Sequence, residues 1–228
     1  MNIQDTAAAE TDAAAHAAPA LARDKTRQIL IGARDVFLTQ GYDGASMGEI
    51  ARVAGVSKGT LYVYFDSKEA LFAALVREQC AQTAESCFVL DPDEDVASAL
   101  TALGHRYIRA MIKSANISTV RMVIGVAEKL PEIGRIYYAS AQERAVSLLS
   151  DWLRLKIAQG ELAIDDVELA AWQFVIGCHS RIVMSNFFCG TSVSDEEIER
   201  VVSFTVGFFM SAFGRQRRPA DRPAPCSV

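Results

Sequence analysis

The chain lacks the residues that staple small secreted domains or hold metal ions. Its 228 residues include five cysteines (Cys80, Cys87, Cys178, Cys189 and Cys226) and three histidines. The cysteine count is odd, there is no C-x-x-C pair, and no histidine stands at ligand spacing beside a cysteine. A disulfide framework and a structural zinc site are therefore not expected. The expectation is reduced, mostly buried thiols in a cytoplasmic protein, with no metal and no cofactor. Cys80 and Cys87 fall two helical turns apart, on one face but too distant to bridge. A long apolar run is missing as well. The stretch from Phe204 to Phe213 is too short to cross a bilayer, and the alanine-rich start has no basic segment ahead of an apolar one. No membrane association is expected. Nor is there an excess of positive charge. The formal net charge is -5, so any contact with nucleic acid must be local. No nucleophile elbow, phosphate-cradling glycine loop, H-E-x-x-H or paired-carboxylate motif is present, which speaks against an enzyme.

What is present is helical punctuation. Residues that can cap a helix stand three before a glutamate at Ser46 and Glu49, Asp66 and Glu69, Asp91 and Glu94, Asp165 and Glu168, and Ser194 and Glu197. Pro92 follows its aspartate at the first helical position, and Pro131 is placed to begin another helix. Gly41, Gly55, Gly160 and Gly190 read as stops. Between the signals apolar residues recur at helical spacing. Ile29, Ala33, Val36 and Phe37 make one such face, and Leu148, Leu149, Trp152, Leu153 and Ile157 another. No strand alternation flanked by turn dipeptides stands out. The fold class is all-α. The first twenty residues are low in complexity, and the arginine- and proline-bearing tail 215–228 offers no regular element.

The stretch from Ser46 to Phe65, SMGEIARVAGVSKGTLYVYF, reads as two short helices joined by a tight turn. Ala51 is small where the helices cross, Gly55 can take the positive φ of the turn, and Leu61 can pack back against Ile50 and Val53. The exposed face of the second helix would carry Lys58, Thr60, Tyr62 and Tyr64. Lysine can donate to guanine edges or phosphate, threonine can hydrogen-bond and touch thymine through its methyl, and tyrosine hydroxyls bind phosphate. Gly59 lets the backbone approach a groove. The spacing alone also fits a docking module that binds protein.

From Thr26 to Leu75 the chain resembles the DNA-binding head of TetR-family regulators. The resemblance rests on Ile29, Leu30, Ala33 and Phe37, then GYDGAS at Gly41 to Ser46, IA–AGVSKGTLY at Ile50 to Tyr62, and YF–SKEAL at Tyr64 to Leu71. It implies a first helix over Thr26 to Gln40, with Arg23, Lys25 and Arg27 near the DNA backbone. A supporting helix would run from Met47 to Ala54, a recognition helix from Lys58 to Tyr64, and a long fourth helix from Asp66. The DNA-contacting set is then Ser46, Met47, Ser57, Lys58, Gly59, Thr60, Tyr62, Tyr64 and Lys68. Val63 stands where many relatives carry a polar or basic residue, which narrows base readout to Lys58, Gly59 and Thr60. The resemblance divides the chain into a disordered segment 1–20, a helix-turn-helix domain 21–68, an effector-binding and dimerisation domain 69–214, and a basic tail 215–228. About nine helices are expected.

In the body, the run from Val120 to Arg144 is similar to the C-terminal domain of AefR-like members of the same family. Two late helices, about Asp165 to Phe188 and Ser194 to Phe213, are apolar nearly all round, which requires cover on several sides. The resemblance implies a homodimer formed through that pair, with Gly177 and Gly207 permitting close approach. It also implies a palindromic double-stranded DNA operator and a repressor released by a small-molecule effector. Candidate effector contacts are Tyr107, Met111, Met122, Trp152, Phe174 and His179, with Trp172 and Phe88 as further wall residues. They suggest an apolar molecule, with an anionic group as an option. The alternatives left open are a switch run by oxidation of Cys178 and Cys189, and a helical protein-interaction module.

Overall fold

The computed structural model describes residues 3–215, with side chains from residue 22 onward. Ten α-helices follow one another among these residues: α1 Ile3–Gly44, α2 Met47–Val53, α3 Lys58–Tyr64, α4 Lys68–Cys87, α5 Val96–Met111, α6 Ser114–Ala127, α7 Pro131–Tyr137, α8 Arg144–Ala158, α9 Val167–Cys189 and α10 Asp195–Phe213. A π-helical segment, Tyr138–Glu143, follows α7 and precedes α8 in the chain. The one extended pairing among the described residues is an isolated bridge between Leu162 and Gly214. The all-α expectation holds. Helical backbone begins at Ile3, inside the segment expected to be irregular, and alanine, the strongest helix former, accounts for that. The tail beyond Arg215 and the first two residues lie outside the described residues.

The helix starts follow the capping chemistry, though not always at the expected residue. Ser46 Oγ accepts from Glu49 N at 3.2 Å, and Ser194 Oγ from Glu197 N at 3.1 Å, as read. Elsewhere a neighbour takes the role. Ser67, not Asp66, caps α4 by accepting from Ala70 N at 3.1 Å, and Asp166, not Asp165, caps α9 by accepting from Leu169 N at 2.9 Å. Asp91 and Pro92 do not open α5. The Asp91 carboxylate instead accepts from Asp93 N at 2.9 Å in a tight turn, and Asp95 caps the helix. The four stop glycines are the residues with positive φ among those described.

The chain gathers into two compact units. One holds the chain as far as Gln79 together with Ser118–Tyr137, and the other holds Cys80–Ile117 and the chain from Tyr138 on. These units divide the chain by packing, where the expected boundary after residue 68 divides it by motif. In the first unit Ile29, Ala33, Phe37, Ile50, Leu61, Phe72 and Val76 are wholly buried. The ring of Phe37 stacks on Tyr42 and meets Phe72 edge-on at 4.9 Å. In the second unit the core runs through Leu100, Leu103, Leu149, Leu153, Ala171, Cys178 and Val202. The one buried cation among its described residues, Lys156, is held by Glu161 at 3.0 Å and lies against the Trp152 ring. Arg215 N donates to Glu161 O and Ala163 N to Phe213 O, which ties the end of α10 to the turn after α8.

A glycine that sequence reading passed over fixes the head. A Cβ built on Gly32 of α1 would sit 2.6 Å from Ala54 Cα and 2.7 Å from Ala54 N, atoms that cannot turn aside. Beside it Gln28 Nε2 donates to Ala54 O at 2.7 Å. Gly32→Ala is expected to lower stability by about 1–3 kcal/mol, since an overpacked crossing must move backbone. Urea unfolding checks this, and a neutral result would show that the crossing has slack.

Candidate nucleic-acid interface

The head places a seven-residue helix, α3, on a buried anchor. Leu61 is wholly buried, and the side chains around it turn outward. Gly55, with φ 66, makes the turn between α2 and α3, where a side chain would be strained. Ser57 caps α3. Its Oγ accepts from Thr60 N at 2.9 Å and shares a 2.8 Å hydrogen bond with the Thr60 hydroxyl. Lys58, Gly59, Tyr62 and Val63 are exposed, and the Lys58 ammonium lies 6.0 Å from the centre of the Tyr62 ring. Val63 is 81% exposed, an apolar side chain turned to solvent. Ser46 is exposed at the start of α2, and Arg23 and Arg27 are exposed on α1.

Not every expected contact residue reaches that face. Met47 points into the core and Tyr64 is half-buried. Lys68 is committed within the head. Its ammonium donates to Tyr42 O at 2.8 Å and Ala45 O at 3.0 Å, and sits 4.4 Å over the Tyr42 ring. Tyr42 in turn donates to Glu69 at 2.8 Å. Burial, that bond and the nearby carboxylates raise the Tyr42 pKa far above the ordinary phenol range. Lys68 thus caps carbonyls that the end of α1 leaves over, a role with no local sequence signal.

Among the six effector candidates, Trp152 and Phe174 belong to the core of the second unit and Tyr107 packs against it. Tyr107 OH and His179 Nδ1 are 2.9 Å apart, and Phe88 meets the Tyr107 ring edge-on. Burial holds His179 below its ordinary pKa, so the imidazole is neutral at neutral pH. Trp152 is core, donating its indole N–H to Asp91 O at 2.8 Å, and Phe174 packs edge-on against Phe209. Met111 is half-buried on α5, and Met122 belongs to the first unit.

Burial pushes the Cys80 and Cys178 thiols up to about 12 and raises Cys87 as well. Thiols so placed stay protonated and unreactive at neutral pH. A thiol-reactive probe such as Ellman's reagent is expected to label Cys189 quickly in the folded protein and these three only on unfolding. Because the folded state raises these pKa values, it holds the protons more tightly than the unfolded chain. That contribution to stability is complete below about pH 9 and declines as the pH rises towards 12. Fast labelling of Cys178 would contradict the packing.

Comparison with known proteins settles the family. Residues 98–215 match the family described as AefR-like transcriptional repressor, C-terminal domain, and residues 29–75 match bacterial regulatory proteins, tetR family. The chain belongs to the TetR family. A TetR-family regulator structure from Mesorhizobium loti MAFF303099 superposes with a TM-score of 0.80 at 28% identity, covering 85% of this chain and 98% of that one. The HTH-type transcriptional regulator SrpR of Pseudomonas putida is 28% identical over 192 residues, 82% of this chain and 84% of the relative. The HTH-type transcriptional repressor AcnR of Corynebacterium efficiens is 42% identical over 60 residues, 26% of this chain and 32% of the relative. The match thus spans about a third of the length of AcnR. The family is one of transcription regulators, not enzymes. No described helix is long and apolar enough to cross a membrane, and no group of His, Cys, Asp or Glu among the described residues could hold a metal ion.

Proposed function

We propose that the chain is a homodimeric, operator-binding transcriptional regulator, a repressor whose grip on DNA is loosened by a small molecule bound in its second unit. The observation that carries this reading is α3, a short helix pinned by Leu61 that turns Lys58, Gly59, Tyr62 and Val63 to solvent. Lys58 and Tyr62 are suited to phosphate and base edges, and the exposure of Val63 returns it to the reading face, against the narrower set expected from sequence, where it suits the methyl of a thymine in the major groove. Ser46, Ser57 and Thr60 complete the face, with Arg23 and Arg27 for flanking phosphates.

A single short helix reads few base pairs, so two heads related by a two-fold axis are needed. The face that would join them lies on α9 and α10, where Ile176, Met184, Phe188, Phe204 and Phe208 are exposed. Repression follows the AefR-like repressor description and the AcnR relative. The Tyr107–His179 pair is the polar point around which an otherwise apolar effector site would be built.

Selection from random-sequence duplexes tests the reading. Enriched sites should be inverted repeats, binding should weaken steeply with salt, and Val63→Ser should lose a thymine preference in each half-site. Recovery of no enriched sequence would count against it.

A further inference from the structure

A polar cavity of about 270 Å³ lies within the second unit, where the π-helical segment and α8 meet the start of α9. Its walls include Tyr138, Glu143, Ser150, Arg154, Glu168 and Trp172. Three observations mark it as more than a surface dent. Ser150 is 2% exposed and its hydroxyl has no hydrogen-bond partner among the described residues. A buried hydroxyl left unpaired costs stability, and its presence calls for a partner of another kind. Secondly, the wall begins in a π-helical segment, a departure from regular helix that is often found at functional sites. Thirdly, the Tyr138 and Trp172 rings stack at 6.1 Å with an interplanar angle of 21°, beside two exposed carboxylates.

The charge of the cavity decides the ligand. Arg154 is already paired with Asp151 at 2.8 Å. The ion pairs found among the described residues involve neither Glu143 nor Glu168, and the Glu143 side chain makes no cap to α8. Surplus negative charge next to two electron-rich ring faces favours a cation. A hydroxyl at the back wall favours one that carries N–H donors. We propose that this cavity binds a small organic cation, a protonated amine with an aromatic or aliphatic body. Glu143 and Glu168 neutralise its charge, Tyr138 and Trp172 receive its body, and Ser150 accepts from its ammonium. The site is separate from the Tyr107–His179 pair and does not depend on the operator-binding reading, because occupancy is measured without DNA.

Phenethylammonium is a suitable probe, titrated by calorimetry and by the fluorescence of Trp172. The other tryptophan, Trp152, is buried in the core. Saturable binding is expected, weakened about tenfold or more in the Glu143→Gln, Glu168→Gln double variant and about threefold or more in Trp172→Leu. Both glutamates are exposed, so the double variant keeps the fold. Ser150→Ala should weaken binding without lowering Tm, whereas a merely structural hydroxyl would leave binding unchanged. Phenylacetate, of the same shape and opposite charge, should not bind. The proposal fails if no saturation occurs by about 10 mM, if phenylacetate binds as well, or if the double glutamine variant binds as the parent does.

Discussion

Replacing Lys58 and Tyr62 together by alanine is expected to weaken binding to a selected operator by about 100-fold or more, because each loses roughly 1–3 kcal/mol of contact and the dimer carries both changes twice. The dependence of log K on log salt should become shallower by about two, one for each lysine of the dimer. The fold should not notice. Both side chains are exposed, and the anchor of α3 is Leu61, which is wholly buried. Far-UV circular dichroism and the oligomeric state should match the parent, and anisotropy titrations at several salt concentrations give the affinity and the slope. If the affinity were unchanged, α3 would not be the reading helix, and a protein-docking role for the same turn would become the better account.

The second large effect is expected at the other end of the chain. Phe204→Glu with Phe208→Glu should convert the dimer to monomers and, with it, abolish tight operator binding. The two rings are 76% and 67% exposed in the isolated chain, so they contribute little to the protomer's own core. Buried against a partner, each would be worth about 1.5–3 kcal/mol, and two-fold symmetry counts every residue twice. Carboxylates in their place would have to be desolvated without a counter-charge. The neighbouring buried residues of α10, Val201, Val202, Val206 and Phe209, hold the helix to its own chain and are untouched. Sedimentation velocity reads the outcome directly. A double variant that stays dimeric would move the interface away from α10.

The parts legible in the sequence were those written in local chemistry. Ser46 and Ser194 cap the helices that follow them, and Gly55 turns the chain where a left-handed residue was needed. The spacing from Ala51 to Leu61 set the crossing of α2 and α3, and the apolar excess of α9 and α10 announced a face left for cover. Where two capping residues stood side by side, as at Asp66 and Ser67 or Asp165 and Asp166, the pattern could not rank them, and the bond formed one residue later than read. Asp91 misled because the same side chain closes a tight turn as readily as it starts a helix. The packing roles of Gly32 and Gln28, and the inward role of Lys68 that was read as a DNA contact, were illegible because their partners, Ala54, Tyr42 and Ala45, are brought to them only by the tertiary fold. Gly177 and Gly207 were read as points of close approach between two copies; within the single chain a Cβ at Gly177 would meet Thr205, and one at Gly207 would meet no described residue within 4 Å, which leaves that face open. The effector candidates were the least legible, since large apolar residues at helical spacing look alike whether they fill a core or line a pocket.

The most direct test of the account is a footprint of the purified protein on the genomic fragments it selects at near-physiological salt. The account predicts protection of a near-palindrome whose half-sites lie about one DNA turn, ~34 Å, or a small multiple of it apart. Failure to enrich any fragment, or protection of a single unpaired half-site, would contradict it.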